Sequence, residues 1–304
     1  MSNKKTIVFY NELHNGDIHM SRPYVMDIMQ ILGDNDYYYY HKNNPKILSD
    51  IENLKSIPDL NLIQSSVDVK ISTWIGQFSW DDKGNIFSPF YGCNFPSYYE
   101  VMKKVYRGLG IADKIKPITH YIPTINYSKY SIENIEKYFS NNTQRHVLLC
   151  NNKVASSQAP NDPMNSMIEQ LAGRFADTTF IISNKNDLEE ILKKDNIVYA
   201  QDIIKDATID FDMNEISYIG TKCDVIVGRS SGPYVFSITK NTTHSKQFIC
   251  FCNNVSDAWW FENSTNILHS NDHSHMMDII SNRLIELYGK KKSNEDMRNS
   301  LRSA

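Results

Sequence analysis

Cys223-Asp-Val-Ile-Val-Gly-Arg-Ser-Ser-Gly-Pro-Tyr-Val-Phe-Ser-Ile-Thr239 reads as a short buried strand, a tight turn and a helix. Val225, Ile226 and Val227 form the β-branched centre of a strand covered on both faces. Gly228 and Gly232 permit a sharp turn and close approach of a ligand. Ser230 and Ser231 can cap a helix that Pro233 starts in its first turn. Such a turn aims backbone N–H groups and a helix N-terminus at one spot, where an anion, phosphate above all, is held. An ordinary strand–helix connection is the plainer reading of the same residues.

The same strand–helix alternation runs outward in both directions and predicts parallel sheets with helices on both faces. Upstream, strands are expected at His146–Cys150, Thr179–Ser183 and Ile197–Ala200, with helices at Met164–Phe175, Leu188–Lys194 and Asn214–Thr221. Downstream follow helix Pro233–Lys240, strand Gln247–Cys252 and helix Met276–Tyr288, which ends near Gly289. This order is a doubly wound domain. The first half repeats the scheme with strand Thr6–Tyr10, a polar loop from Asn11 to Asp17, helix Ser21–Leu32, a tyrosine-rich strand Asp36–His41, a helical Pro45–Leu54, strand Val67–Phe78 and helix Ser97–Leu109. Tyr37 to Tyr40 fit a β-strand better than a stacking platform. Ser79–Pro96 reads as a long loop of the kind that is functional or mobile. Residues 111–145 read as a linker with a short helix at Ile132–Phe139. The expected fold is therefore α/β, two Rossmann-like domains facing across a cleft: residues 1–140, residues 141–289 and a basic, polar, disordered tail at 290–304. In open α/β sheets ligands bind outside the carboxyl ends of the strands, so two facing sheets make a site for two substrates.

Composition narrows the class. A chain of 304 residues has room for two cores, and 41% hydrophobic with 22% charged residues is ordinary for a globular protein. The net charge of −3 supplies no global field for nucleic acid. No apolar run approaches the roughly 18 residues of a membrane span, and Thr6–Tyr10 is too short for a signal-peptide core, so a cytoplasmic protein is expected. N-x-S/T triplets such as Asn141-Asn-Thr are then chance. Cys93, Cys150, Cys223, Cys250 and Cys252 form no disulfide or metal framework by spacing. Cys250-Phe-Cys252 places two thiols on one strand face, but no second ligand pair accompanies it in sequence. His269-Ser-Asn-Asp-His-Ser-His275 is rich in ligand-type residues, yet Asn271 or Asp272 also reads as an N-cap. No metal is expected.

Three short stretches resemble the bacterial heptosyltransferase family, glycosyltransferases of the B-type fold. Asn15-Gly-Asp-Ile18 is similar to the family's G-D-I/L element, Met213-Asn-Glu-Ile216 to its L-x-E-h stretch, and Val227-Gly-Arg-Ser-Ser-Gly-Pro233 to V-G-x-D-S-G-P. Ser230 stands at the motif's Asp, Val235 at the histidine two residues after its proline, and Lys153-Val-Ala-Ser-Ser-Gln-Ala-Pro160 replaces a lysine-and-tryptophan strip. The resemblance implies transfer of a sugar from a nucleotide-sugar to a glycan or lipid-linked acceptor, as in polysaccharide biosynthesis, without metal or other cofactor. A lipid-linked acceptor would bring peripheral membrane contact. The departures leave the donor open.

Glycosyl transfer needs stabilisation of the departing diphosphate, a positioned acceptor hydroxyl and a base for its proton. Asp17 is the candidate base, by resemblance and by its place after the first strand; an N-cap is its plainer role. His14, Asn15 and His19 are candidate acceptor contacts. Lys153, Arg229, Ser230, Ser231 and Gly232 are candidates for the donor diphosphate. Glu215 would hold ribose hydroxyls, as the matching family residue does, or else complement a helix dipole. Trp259-Trp260 and Phe261 could cover a base or sugar, or pack in the core. Two other readings stay open: a catalytically inactive binding protein of the same fold, and a hydrolysing sugar-nucleotide epimerase-like enzyme.

Overall fold

The structure is a computed structural model and describes residues 4–62, 66–74, 78–79, 94–155, 158–230, 232–254, 256, 258–259 and 266–302, with side chains placed outside 78–79 and 290–302. Two α/β sheets are present. The first contains β1 (Thr6–Tyr10), β2 (Asp36–Tyr40), β3 (Leu54–Ile57), β4 (Val69–Ser72) and β5 (Phe78–Ser79) in the order β3-β2-β1-β4-β5. All its pairings are parallel except β4 with β5. Its helices are α1 (Asn15–Leu32) and α2 (Phe95–Gly108). The linker carries α3 (Glu133–Asn141). The second sheet contains β6 (Arg145–Cys150), β7 (Thr178–Ile182), β8 (Ile197–Tyr199), β9 (Val225–Arg229), β10 (Gln247–Phe251) and β11 (Ile267–Ser270). It is wholly parallel, with the order β11-β10-β9-β6-β7-β8. Its helices are α4 (Asn165–Arg174), α5 (Ala200–Ile204), α6 (Met213–Lys222), α7 (Gly232–Phe236) and α8 (Met276–Arg302). Among the described residues no helix is long and apolar enough to cross a membrane.

Strand placement follows the sequence pattern. Ile7, Val8 and Phe9 are all buried because β1 lies between β2 and β4 with both faces covered. The tyrosine strand alternates: Tyr37 and Tyr39 are buried while Tyr38 and Tyr40 are half-exposed. Tyr39 is satisfied in the core by Ser21 Oγ at 2.9 Å and Thr73 Oγ1 at 2.7 Å. These tyrosines are core residues, not a stacking platform.

Several expected elements differ. Helix α1 begins at Asn15, six residues before the Ser21-Arg-Pro23 start expected from sequence. Pro23 sits inside it, and its first turns persist because Gly16 to Met20 are all buried against the second domain. Pro45–Leu54 is one tight 3₁₀ turn over Pro45–Leu48, after which Asn53 takes a left-handed φ of 63° and leads into β3. Leu188–Lys194 is not a helix. Its backbone groups are taken by side chains instead: Asn165 bonds Glu189 N and Glu190 O, and Tyr199 OH bonds Leu192 N at 2.8 Å and Leu192 O at 3.1 Å. Finally, α8 continues through Gly289 to Arg302, so the tail expected to be disordered is helical. An interior glycine costs a helix about 1 kcal/mol and does not by itself end it.

One hydrophobic core runs from the first sheet through α1 and α2 to α6, α7 and one face of the second sheet, while α4 and α8 close that sheet's other face. The two halves are thus packed directly on each other. Arg22 of α1, fully buried, pairs with Asp50, donates to the Ile47 carbonyl and reaches Asn214 Oδ1 of α6 at 3.0 Å. Asp50 also accepts from Asn126 N at 3.0 Å and Tyr130 OH at 2.8 Å in the linker. Helix α3 leans on the second domain through Asn134 Nδ2, which donates to Ile204 O at 2.8 Å.

Candidate active site

In each sheet the strand order reverses beside the strand that begins the domain: between β1 and β4, and between β6 and β9. Such switch points open a crevice at the carboxyl ends of the strands. The two crevices meet in one cleft of about 430 Å³. Its walls come from the segments after these four strands: Leu13 to Asp17 after β1, Trp74 after β4, Asn152 to Ala155 with Gln158 after β6, and Ser230 with Gly232 and Pro233 after β9. Met213, Val235 and Trp259 complete it.

Asp17 occupies the first turn of α1 and is 6% exposed. His14, not Asp17, is the N-cap residue, so capping is not the role of this carboxyl. Burial pushes the Asp17 carboxyl up to about 7, against a smaller opposing pull from backbone hydrogen bonds at His14 and Asp17. A carboxyl titrating near neutrality in a cleft has the properties of a general base. His14 and Asn15 line the cleft beside it, and the buried Asn15 Oδ1 has no hydrogen-bond partner.

Opposite stand Lys153, Ser230 and Gly232. Lys153 is exposed and has no ion-pair partner among the described residues. The turn that carries Ser230 depends on Gly228, which pairs with Cys150 on one side and Cys250 on the other. A Cβ on Gly228 would lie 2.7 Å from Cys150 Cβ and 2.9 Å from Cys150 O. Gly228→Ala is therefore expected to force backbone movement and cost about 1–3 kcal/mol, read as a lowered urea midpoint at unchanged slope; an unchanged midpoint would refute this packing. Helix α7 is only five residues long, shorter than Pro233–Lys240, because Thr242 Oγ1 takes the Thr239 N–H at 3.0 Å and donates to Ser237 O at 2.6 Å. Its dipole is correspondingly small, so the helix by itself offers an anion little.

Three sequence candidates lie off the cleft. His19 is fully buried, stacks on Phe236 at 4.5 Å and bonds Ile238 O through Nε2 at 3.2 Å. Burial, with the nearby Arg22 charge, holds it well below the ordinary histidine range, so it is a neutral wedge between domains and not an acceptor contact. Arg229 donates to the Asp162 carbonyl and faces a neighbouring cavity of about 160 Å³ that it shares with Lys153, Asp162 and Asp187. Glu215 is buried in the first turn of α6 and does not line the cleft; burial raises its carboxyl, and its Oε2 has no partner. Ser231, Trp260 and Phe261, and most of the expected loop at Ser79–Pro96, lie outside the described residues.

Sequence reasoning did not single out Trp74, Gln158 or Met213 as cleft residues; Trp74 follows β4, Gln158 lies within the Lys153–Pro160 segment and Met213 opens the stretch compared with L-x-E-h. Trp259 combines a place in the cleft wall with core packing. It lines the cleft and packs edge-on against Phe95 at 5.4 Å and Tyr98 at 5.5 Å of α2. Val235 fills the place of the family's histidine and packs on Gly16: a Cβ there would lie 3.2 Å from Val235 Cγ1. The glycine of the Asn15-Gly-Asp-Ile18 element thus allows α1 and α7 to meet.

No protein-family model matches the chain, and no curated protein sequence matches it. Solved structures do. The chain is similar to a family 9 glycosyl transferase from Veillonella parvula, with 12% identity, a TM-score of 0.59 and 93% of this chain covering 92% of that one. The E. coli heptosyltransferase WaaC, solved with ADP, is 10% identical at a TM-score of 0.54, with 94% and 98% covered. This is a heptosyltransferase-like fold. E. coli ADP-heptose lps heptosyltransferase II, at 9% identity, TM-score 0.55 and coverage of 93% and 99%, is similar in the same way. The B-type expectation for the fold is borne out along nearly the whole chain.

Proposed function

We propose that the protein is a glycosyltransferase that moves a sugar from a nucleotide-sugar to a hydroxyl acceptor, with Asp17 as base. The observation that carries this reading is the shared cleft: a buried carboxyl titrating near 7 on one domain faces a free lysine and a glycine–serine turn on the other. The WaaC structure was solved with ADP, which supports a nucleotide-linked donor.

In this mechanism the acceptor hydroxyl lies against Asp17, with His14 and Asn15 as neighbours. Asp17 takes the hydroxyl proton as the oxygen attacks the anomeric carbon. The bond from that carbon to the diphosphate oxygen breaks with its electron pair, and negative charge grows on the leaving group. Lys153 and the turn at Ser230 and Gly232 face that charge, where preorganised donors count most. The indole of Trp259 offers an apolar wall for sugar or base. A glycan or lipid-linked acceptor, donor identity and independence from metal belong to the same proposal.

Lys153→Ala is expected to weaken nucleoside diphosphate binding about tenfold, the worth of one charge-assisted hydrogen bond. The loss should shrink as salt rises, because an exposed cation is screened. Calorimetric titration of ADP, UDP, GDP and CMP at two ionic strengths measures it. Equal affinities for the variant and the parent would remove Lys153 from the site.

A further inference from the structure

Two stretches that carry no metal signal separately converge in the fold. Strand β10 places Cys250 on the same face as Cys252, the residue after its end, and β11 lies parallel beside it with His269 in register with Cys250. Cys252 N donates to Ser270 O at 3.0 Å, which fixes Cys252 against the end of β11. The ligand atoms of Cys250, Cys252 and His269 all lie within 4.8 Å of one another. Both thiols are buried, at 0% and 1% exposure, while His269 is half-buried and borders solvent. Neither ring nitrogen of His269 has a hydrogen-bond partner, and neither does Nε2 of His273, in the segment that follows. His269 is half-buried, but its two ring nitrogens are themselves out of contact with solvent, and leaving both unsatisfied is costly unless something occupies them.

We infer that Cys250, Cys252 and His269 form a binding site for one zinc ion at the β10–β11 edge of the second sheet. Two thiolates and an imidazole are the donor set that zinc prefers, and water fills the fourth tetrahedral position. Binding releases the two thiol protons to solvent as the sulfur–zinc bonds form, with no change of oxidation state. The site is distinct from the cleft but supports it. The next residue, Asn253, donates its N–H to Gln158 O at 2.7 Å, and Gln158 lines the cleft. A zinc ion would therefore brace the edge strand and the corner that holds this wall. The inference does not depend on the proposed transfer reaction.

The test uses the full chain, reduced with a non-thiol reductant and stripped with chelator. Titration with Co²⁺ should give one equivalent with a thiolate-to-cobalt charge-transfer band and tetrahedral visible bands. Zn²⁺ should displace the cobalt and raise Tm with increasing concentration. Loss of an outer-sphere partner alone costs metal sites roughly 10–100-fold, so Cys252→Ser and His269→Ala should each lower Zn²⁺ affinity by at least about tenfold. His275→Ala should leave it unchanged, because His275 is engaged with Asp272. His269 is only half-buried, so its variant should fold, and circular dichroism confirms that. Absence of a charge-transfer band in the parent protein would overturn the inference, as would equal affinity in parent and His269→Ala.

Discussion

Replacing Asp17 with asparagine is expected to abolish sugar transfer and, at the same time, to stabilise the protein above neutral pH. In the folded protein burial lifts the carboxyl from 3.8 to about 7. Between those two values the native state keeps a proton that the unfolded chain has released. Stability from this group is therefore greatest at low pH, declines as pH rises from about 4 to about 7, and above 7 the full penalty of a buried carboxylate is present. The gap corresponds to on the order of 4 kcal/mol. Asparagine carries no charge, so Asp17→Asn should raise Tm at about pH 8 and leave it nearly unchanged at about pH 3. The activity of the parent should fall as pH drops through about 7, where the base becomes protonated. The variant should lose about 10²–10⁴-fold in kcat. This pairing of gain and loss is the mark of a site held away from its stability optimum for chemistry. A variant with lower Tm at both pH values would show that the carboxyl is a structural group instead.

The largest loss of stability is expected at Asp50. Its carboxylate is 4% exposed and faces an Arg22 guanidinium that is 0% exposed. Asp50→Ala leaves that charge buried with only the Ile47 carbonyl and Asn214 as partners. It also takes the acceptor from Asn126 N in the linker and leaves Tyr130 OH with only the longer 3.4 Å contacts to Lys46 O and Ser49 Oγ. Breaking a buried pair from one side costs about 3–5 kcal/mol, because the remaining charge keeps its desolvation penalty. The double variant Arg22→Met with Asp50→Leu should recover most of that, since an apolar pair of similar volume carries no such penalty. Urea denaturation of both variants measures it. A loss below about 1 kcal/mol for Asp50→Ala would mean that the domains are not joined through this network.

The strands that lie centrally were legible in sequence because burial on both faces leaves a continuous β-branched or aromatic run, as in Thr6–Tyr10, His146–Cys150 and Val225–Val227. Two of the edge strands were not. Leu54-Lys-Ser-Ile57 and Ile267-Leu-His-Ser270 each have one neighbour, so half their positions are free to be polar and the pattern dissolves. The missed β11 also hid His269 from Cys250, since only sheet pairing brings them together. In the cleft, Asp17, Lys153, Ser230 and Gly232 were legible because each follows a strand at a switch point. His19 and Arg229 were chosen on residue type, and interdomain packing and a backbone carbonyl claim them instead. Asp17, two residues before His19, and Ser230, next to Arg229, line the cleft while His19 and Arg229 do not, a distinction that depends on helix phase and strand register.

The most direct measurement pairs binding with turnover across a panel of ADP-, UDP-, GDP- and CMP-sugars, for the parent protein and Asp17→Asn. The account predicts that at least one nucleotide-sugar binds both proteins with similar affinity. Only the parent should then release the nucleotide, as diphosphate or as CMP, and pass the sugar to an acceptor or to water. Absence of binding across the panel, or equal turnover by Asp17→Asn, would contradict it.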